Sequence, residues 1–527
     1  MTTAATPLTR ISDYVTSHAA RDPDAVALIH DENRISYRAL MQQVDLLAAS
    51  LLAAGVRKGD RVATLSTPHP DFVVSLLAAT SIGAIWLGLN PRYRLPELQH
   101  CMVDSGAKVL LAHRSLLGRS YEPEIDALRA SSKSLGQIVL FDDASDMAGA
   151  IPMRMFLDRG NSISPQQLEH ARADVDSRDP CLLVYTSGST GAPKGALLHH
   201  RGIIDFAVLC NSLWPLAPHR IINYFPINHI GSVVDCMMPC LVAGGAQVML
   251  EQFDPTACLE LIERERITLW GSVPSVFQMQ LALPDFARFD LSSVQLIAWG
   301  GAAMPRETIE QLRSICPKLA TNYGMTETSS AITIIEPTDD LDILANTVGH
   351  PRPGAEVRLV DEQDHPVPVG QPGEIQVRSP GNFLGYWQRP DATAAAFTAD
   401  GFFRTGDLGE QRADGRIRLI GRLKEMYKSG GYNVYPREVE TVIETHPGVA
   451  SAAVVSIPDP LWQEVGVAYV VLREPITTQQ IAQHCRDRLA NYKLPKHIVL
   501  VSELPLLPIG KVDKRTLRAW AERTTSH

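Results

Sequence analysis

Between Ile11 and about Leu111, short apolar runs such as Ala25-Val-Ala-Leu-Ile and Arg61-Val-Ala-Thr-Leu alternate with longer stretches whose apolar residues recur at helical spacing. That alternation predicts an α/β sheet. Ser36-Tyr-Arg-Ala-Leu opens an amphipathic helix expected to run to about Ala54, with Gly55 closing it. Residues 83–93 read as a strand stopped by Asn90-Pro91. Residues 115–179 are more polar and less periodic, and are expected to connect the halves of a large domain. The alternation then resumes, with strands expected at 221–225, 246–250, 267–270 and 294–299. Beyond Asn346 the texture changes to short alternating runs rich in Gly and Pro, which predict a β-rich subdomain. From Gly421-Arg422 onward a roughly hundred-residue α+β segment follows, with helices expected at 436–446 and 477–490, a size typical of a small domain.

Composition narrows the class. At 527 residues and 45% hydrophobic content, the chain exceeds what one core usually supports, so at least two domains are expected. The formal charge of −9, with no basic block, disfavours nucleic acid as a partner. The first residues lack a charged region followed by an apolar one, and the most apolar stretch, 76–89, is too short to span a bilayer, so the expectation is a cytoplasmic protein without a transmembrane segment. Eight cysteines without a Cys-x-x-Cys pair fit a reducing compartment. Cys236 and Cys240 share an expected helix face, and core packing is favoured there over metal binding.

Candidate chemistry concentrates in four places. Residues 185–195, Tyr-Thr-Ser-Gly-Ser-Thr-Gly-Ala-Pro-Lys-Gly, follow an apolar strand and precede a helical pattern beginning near His200. Glycines let backbone N–H groups turn toward an anion, hydroxyls add donors and Lys194 adds charge, a combination suited to polyphosphate. The spacing is not that of a P-loop, because the lysine follows proline and precedes glycine. An ordinary flexible loop has the same composition. Tyr323-Gly-Met-Thr-Glu-Thr follows an expected strand and offers a ring to stack a base and Glu327 to hold magnesium, with a polar turn as the alternative. Asp407, in an expected glycine-flanked turn, could accept the hydroxyls of a ribose, although Gly-Asp is also a common hairpin turn. Lys511 follows a glycine on a loop able to project into another domain and neutralise developing charge, or simply to be solvated.

Taken together, these segments resemble the adenylate-forming superfamily of acyl-CoA synthetases, carrier-domain adenylation domains and beetle luciferases. The resemblance covers essentially the whole chain. It rests on seven motifs in order: 185–195, Gly300-Gly-Ala-Ala-Met-Pro, 323–328, Arg404-Thr-Gly-Asp407, Gly421-Arg-Leu-Lys-Glu, Ser429-Gly-Gly-Tyr-Asn-Val-Tyr-Pro-Arg-Glu-Val-Glu440 and Gly510-Lys511. It implies an α/β enzyme with a large N-terminal domain, 1–421, containing α/β sheets and a β-rich subdomain, and a small mobile α+β C-terminal domain, 422–527. It also implies a two-step reaction: a small-molecule carboxylic acid attacks the α-phosphate of MgATP to give an acyl-adenylate and pyrophosphate, then CoA gives the thioester and AMP. By similarity, Thr186, Ser187, Gly188, Ser189, Thr190, Gly191 and Lys194 would wrap the β- and γ-phosphates. Gly300, Gly301, Ala302, Tyr323 and Gly324 would frame the adenine, Thr326 would contact the α-phosphate, and Glu327 would bind Mg²⁺. Asp407 and Arg422 would hold the ribose. Thr186, Glu327 and Lys511 are the expected catalytic residues, with Lys511 bridging the attacking carboxylate and the α-phosphate. Lys424 would be the hinge about which the small domain turns, bringing Ser429, Gly430 and Gly431 toward the CoA tunnel.

The stretch Asn228-His229-Ile-Gly-Ser resembles the acyl- and aryl-CoA ligase version rather than the amino-acid-selecting one. His229 is expected to line the carboxylate tunnel, or alternatively to start a helix capped by Asn228. Trp299 is expected to flank the acyl pocket and shorten it, favouring short, medium or flat acids. Two rivals share much of the pattern: a stand-alone enzyme loading an acyl carrier protein, and a catalytically degenerate nucleotide-binding regulator. A homodimer is the candidate assembly.

Overall fold

A computed structural model describes residues 7–142, 147–186, 193–429, 432–507 and 511–524. Two sheets dominate the large domain. The nine-stranded sheet runs, in spatial order, His350–Pro351, Ser330–Ile334, Leu319–Met325, Leu296–Trp299, Leu269–Ser272, Arg220–Asn223, Ala246–Met249, Val26–His30 and Asn33–Ser36. Its centre is parallel and its edges are antiparallel. The seven-stranded sheet runs Lys194–His199, Pro180–Thr186, Ile85–Leu89, Arg61–Leu65, Val109–Ala112, Gln137–Leu140 and Ala150–Pro152, parallel except for its first pair.

The expected helix after Ser36 spans Tyr37–Ala53, with Ser36 Oγ accepting from the amide of Ala39 at 3.2 Å. Gly55, at φ +83°, takes the left-handed turn that ends it. The apolar stretch judged too short for a membrane resolves into the helix Pro70–Ser81 and the strand Ile85–Leu89. The helix is apolar on almost every face because it packs against strands of both sheets. Its one buried polar cluster is closed: Trp86 Nε1 donates to Thr64 Oγ1 at 2.9 Å and to Ser75 Oγ at 3.0 Å.

Residues 115–179 do more than connect. They add the strands Gln137–Leu140 and Ala150–Pro152 to the seven-stranded sheet and the helices Glu122–Ser131 and Pro165–Ala173 to its surroundings. The strands are four and three residues long, too short to impose a visible period.

The β-rich subdomain is a four-stranded antiparallel sheet, Glu356–Val360, Pro372–Arg378, Phe403–Gln411 and Ile417–Arg422. Arg422 is therefore still a strand residue of the large domain, paired in register with Asp407. After it come the strands Tyr427–Ser429, Tyr432–Val434, Val449–Asp459, Gln463–Leu472 and His497–Val501, covered by the helices Pro436–Glu444, Thr478–Arg486 and Lys514–Thr524. A buried ionic knot ties this unit together: Glu440 accepts from the Val454 amide at 2.9 Å and from Lys514 Nζ at 2.8 Å, and Lys514 also reaches Glu425 at 2.7 Å. Arg473 forms an ion pair with Glu307 of the large domain.

At the junction of the two sheets, His30, His69 and His113 stack edge to face, with Asp71 between the latter two and Glu251 beside His30. The hydrogen bond to Glu251 raises the His30 pKa above its ordinary value, and the same bond holds Glu251 down at about 2. Glu251 is thus charged throughout the neutral range, whereas the pair's contribution is full below the ordinary histidine pKa and is lost as pH rises through the raised one. Glu251→Gln should accordingly cost more at pH 5.5 than at pH 8.5. With Glu251 37% exposed, the difference should be at most about 1 kcal/mol, read as a smaller drop in melting temperature at the higher pH.

Candidate active site

The hydroxyl-rich segment is the connection of a β-hairpin, not a direct strand-to-helix turn. Pro180–Thr186 pairs antiparallel with Lys194–His199, Thr186 opposite Lys194, and the helix His200–Leu213 begins only afterwards. Ser187, Gly188, Ser189, Thr190 and Gly191 lie outside the described residues. Thr186 Oγ1 donates to the Lys194 carbonyl at 3.4 Å, and Lys194 Nζ stands 5.2 Å from the centroid of the Tyr386 ring. Tyr386 OH in turn donates to Glu327 Oε1 at 2.9 Å. Its position follows from backbone pairing: residues 384–387 add to the free edge of Lys194–His199 through Leu384 N to Leu197 O (2.8 Å), Leu197 N to Gly385 O (3.0 Å) and Trp387 N to Gly195 O (2.7 Å).

Opposite this hairpin, the strand Leu296–Trp299 runs out into Gly300, Gly301 and Ala302, and Leu319–Met325 into the short helix Thr326–Thr328. A Cβ on Gly324 would fall 1.7 Å from the Ser330 carbonyl oxygen, so no other residue fits there. Tyr323 is a strand residue with its ring in the core, and its OH donates to Asp407 Oδ2 at 2.8 Å. Asp407 is likewise within a strand, Phe403–Gln411, rather than in a turn. The strand is irregular beside it, with Gly406 at φ +69° and its amide bonded to Glu374 Oε1 at 3.1 Å. Arg422 Nε lies 2.9 Å from Asp407 Oδ1 without being aimed at it, so that buried oxygen keeps its acceptor capacity. Burial raises the Asp407 pKa, opposed by Arg422 and the tyrosine hydroxyl.

Lys511 comes from the small domain to this same place. Its Cε is 3.2 Å from where a Cβ on Gly301 would stand, and Gly301 itself is at φ +80°, so glycine is required both for the backbone and for the lysine's approach. Burial, followed by the charge of Arg422, lowers the lysine's pKa, while Asp407 and Asp235 act in the opposite sense. Burial and then the Lys511 charge push His229 down to about 4, keeping its imidazole neutral. His229 Nδ1 accepts from the Gly231 amide at 3.0 Å, whereas Asn228 donates to Tyr93 OH at 2.8 Å and does not cap it.

Trp299 is buried at the end of its strand. Along its strand Ile297 and Trp299 face the core formed with Trp270 and Phe277, while Leu296 and Ala298 face Cys236 and Cys240. Strict alternation turns the tryptophan ring away from the side on which His229 and its helix lie. Cys236 and Cys240 are buried in that packing, as expected. Thr326 is buried at the start of its helical turn. Lys424 is exposed in the turn after Arg422, and Ser429 is buried in its strand. Gly430 and Gly431 lie outside the described residues.

The donor set at Glu327 fits a divalent cation. Burial raises its carboxyl pKa, only Oε1 is taken by Tyr386, and one carboxylate completed by substrate phosphates is the usual magnesium arrangement.

The sequence model of the family described as AMP-binding enzyme matches residues 15–387, and that of the AMP-binding enzyme C-terminal domain matches 438–511. The chain belongs to the AMP-binding enzyme family. Within it, the chain is 35% identical to an indoleacetate–CoA ligase of Aromatoleum aromaticum over 98% of this chain and 99% of that protein. It is 34% identical to a feruloyl-CoA synthase of an Amycolatopsis species over 96% and 98%. The fold superposes on an anthranilate CoA ligase solved with anthranoyl-AMP at a TM-score of 0.85, with 27% identity over 99% of both chains.

In this AMP-binding enzyme, sequence reasoning missed Tyr386 and Asp235. Tyr386 sits in an Asn-Phe-Leu-Gly-Tyr-Trp run whose clustered aromatics were the available signal. Tyr323→Phe should release Asp407 from its charge-assisted hydrogen bond and weaken ATP binding about tenfold, the scale of one such bond. Calorimetric titration with ATP checks this, and the acid KM should move much less.

Proposed function

We propose that the chain is an AMP-forming acid–CoA ligase that adenylates a carboxylic acid at Lys511 and then passes the acyl group to CoA. The observation that carries this reading is the convergence on one cleft of a cation from the small domain, Lys511, with the Tyr323–Asp407–Arg422 cluster and the Lys194–Tyr386–Glu327 chain. In-line displacement at phosphorus asks the protein for charge neutralisation and positioning more than for covalent chemistry. Lys511 sits where it can face both an incoming carboxylate and the α-phosphate. Its partly desolvated charge acts more strongly there than it would in water.

The remaining roles follow from placement. Asp407 Oδ1 accepts ribose hydroxyls, with Tyr323 fixing Oδ2 and Arg422 balancing the charge. Gly300, Gly301, Ala302 and Gly324 frame the base at the strand ends. Thr326 donates to the α-phosphate. Thr186, residues 187–191 and Lys194 hold the β- and γ-phosphates that leave as pyrophosphate. Glu327 would hold Mg²⁺, which supplies charge neutralisation on those phosphates. Neutral His229 lines the route of the acid.

For the second step the small domain must withdraw Lys511. The strand pairing of the large domain ends at Arg422, which supports a division of the units near it, with Lys424 as the hinge and Ser429-Gly430-Gly431 brought to the pantetheine. The chain acts in the cytoplasm on small molecules. Among its described residues no helix is long and apolar enough to cross a membrane.

A panel of carboxylic acids assayed for pyrophosphate release with and without CoA tests the activity. Failure to release pyrophosphate with any acid would support the degenerate-regulator reading, and acylation of a carrier protein in preference to CoA would support the carrier-loading one. Lys511→Ala should abolish pyrophosphate exchange while largely sparing thioester formation from supplied acyl-adenylate; exchange that survives removes Lys511 from the first step. The acidic shift of Lys511 has a signed consequence: adenylation needs its charged form, so the alkaline fall in adenylation rate should begin below the ordinary lysine range and be absent from the thioester half-reaction.

A further inference from the structure

Asp235 is a buried carboxylate that none of the steps above uses. It lies in the π-helical segment Gly231–Cys236, six residues beyond His229 and so at most about 9 Å further along at the helical rise. Its Oδ1 is buried and has no hydrogen-bond partner, and its side chain otherwise bonds to Ser330. Among the described residues it forms no ion pair.

Three observations place it beside His229 and Lys511. Asp235, His229 and Lys511 are all largely enclosed by the protein. The charge of Lys511 acts on both of the others. A chain of contacts also leads from the nucleotide turn to the aspartate: Asn322 Oδ1 is 3.1 Å from where a Cβ on Gly300 would stand, and Asn322 Nδ2 donates to Ser330 Oγ at 3.3 Å. Ser330, the partner of Asp235, is held at φ +85°, a backbone conformation that serine adopts only under constraint. All of this is on the face of the sheet that carries Ala298 and Gly300, opposite Trp299.

Burial moves the Asp235 carboxyl up to about 6, so at neutral pH it is still mostly ionised. A buried, ionised acceptor left without a donor is a standing cost to the fold, and a ligand that supplies the donor recovers it. An apolar acid tail would leave it unpaired.

Resting on the acid-ligase reading, we propose that Asp235 recognises an N–H or O–H donor carried on the body of the acid, beyond its carboxylate. Aromatic acids bearing a ring N–H, an amine or a phenolic hydroxyl are the class with that chemistry.

The test is pyrophosphate release by the intact enzyme on matched pairs of acids that differ only in the donor: an indole acid against its benzothiophene analogue, and a hydroxyaryl acid against its methyl counterpart. The wild type should favour the donor-bearing member of at least one pair ten- to hundredfold in kcat/KM. Asp235→Leu should remove or reverse that preference while raising turnover of the donor-free member. Should the leucine variant fail to fold, Asp235→Asn, which keeps the shape, should still reduce the preference by at least threefold. Equal use of both members by the wild type, or an unchanged ratio in a folded variant, overturns the proposal while leaving the ligase reading intact. No release with any acid overturns the ligase reading and this proposal with it.

Discussion

A single partly desolvated lysine, contributed by the smaller domain, organises the cleft. Lys511 can occupy its place only because Gly301 has no side chain and because Asp407 and Asp235 offset its burial and the nearby charge of Arg422. Burial keeps His229 neutral, the lysine's charge adds to that effect, and the same charge helps to steady the Asp235 carboxylate. Remove the cation and the carboxylates around it lose the charge that balances them in a medium poor in water. The cleft is therefore complete only when the two domains are together in this arrangement.

The large domain holds the rest of the machinery rigid. Strand ends deliver Gly300, Tyr323 and Lys194, the β-rich sheet delivers Asp407 and Arg422, and edge pairing on Lys194–His199 brings Tyr386 between Lys194 and Glu327. Each polar group is fixed by a second one: Tyr323 on Asp407, Tyr386 on Glu327, and the Gly231 amide on His229. In the proposed reaction such support would hold the phosphates and the acid in register, which matters more for phosphoryl chemistry than any covalent step.

Periodicity made the alternating core legible, because strands such as Arg61–Leu65 and the capped helix Tyr37–Ala53 carry their own local signals. It failed at Gln137–Leu140 and Ala150–Pro152, whose brevity leaves no period to read, and at Asp407, where Gly-Asp chemistry looks like a turn but tertiary pairing makes a kinked strand. The structure brings Tyr323, Asp407 and Arg422 together, links Lys194 to Glu327 through Tyr386, and sets Lys511 against Gly301. Trp299 shows the limit of proximity in sequence: one residue from Gly300, it faces the other side of the sheet. Asp235 was invisible, and Tyr386 showed only as part of an aromatic run, for a related reason. Their importance comes from partners 59 and 95 residues away, Glu327 and Ser330, which no local pattern encodes.

The central claim is that the domain placement seen here serves adenylation and must be left before the thioester forms. Glu307 and Arg473 touch across the domain interface, and all eight native cysteines are buried, so cysteines placed at these two positions can be joined by a short cross-linker without competition. The locked enzyme should release one equivalent of pyrophosphate and retain the acyl-adenylate, forming no thioester when CoA is added, whereas the same double variant left uncross-linked should complete both steps. Thioester formation by the locked enzyme at the uncross-linked rate would contradict the account.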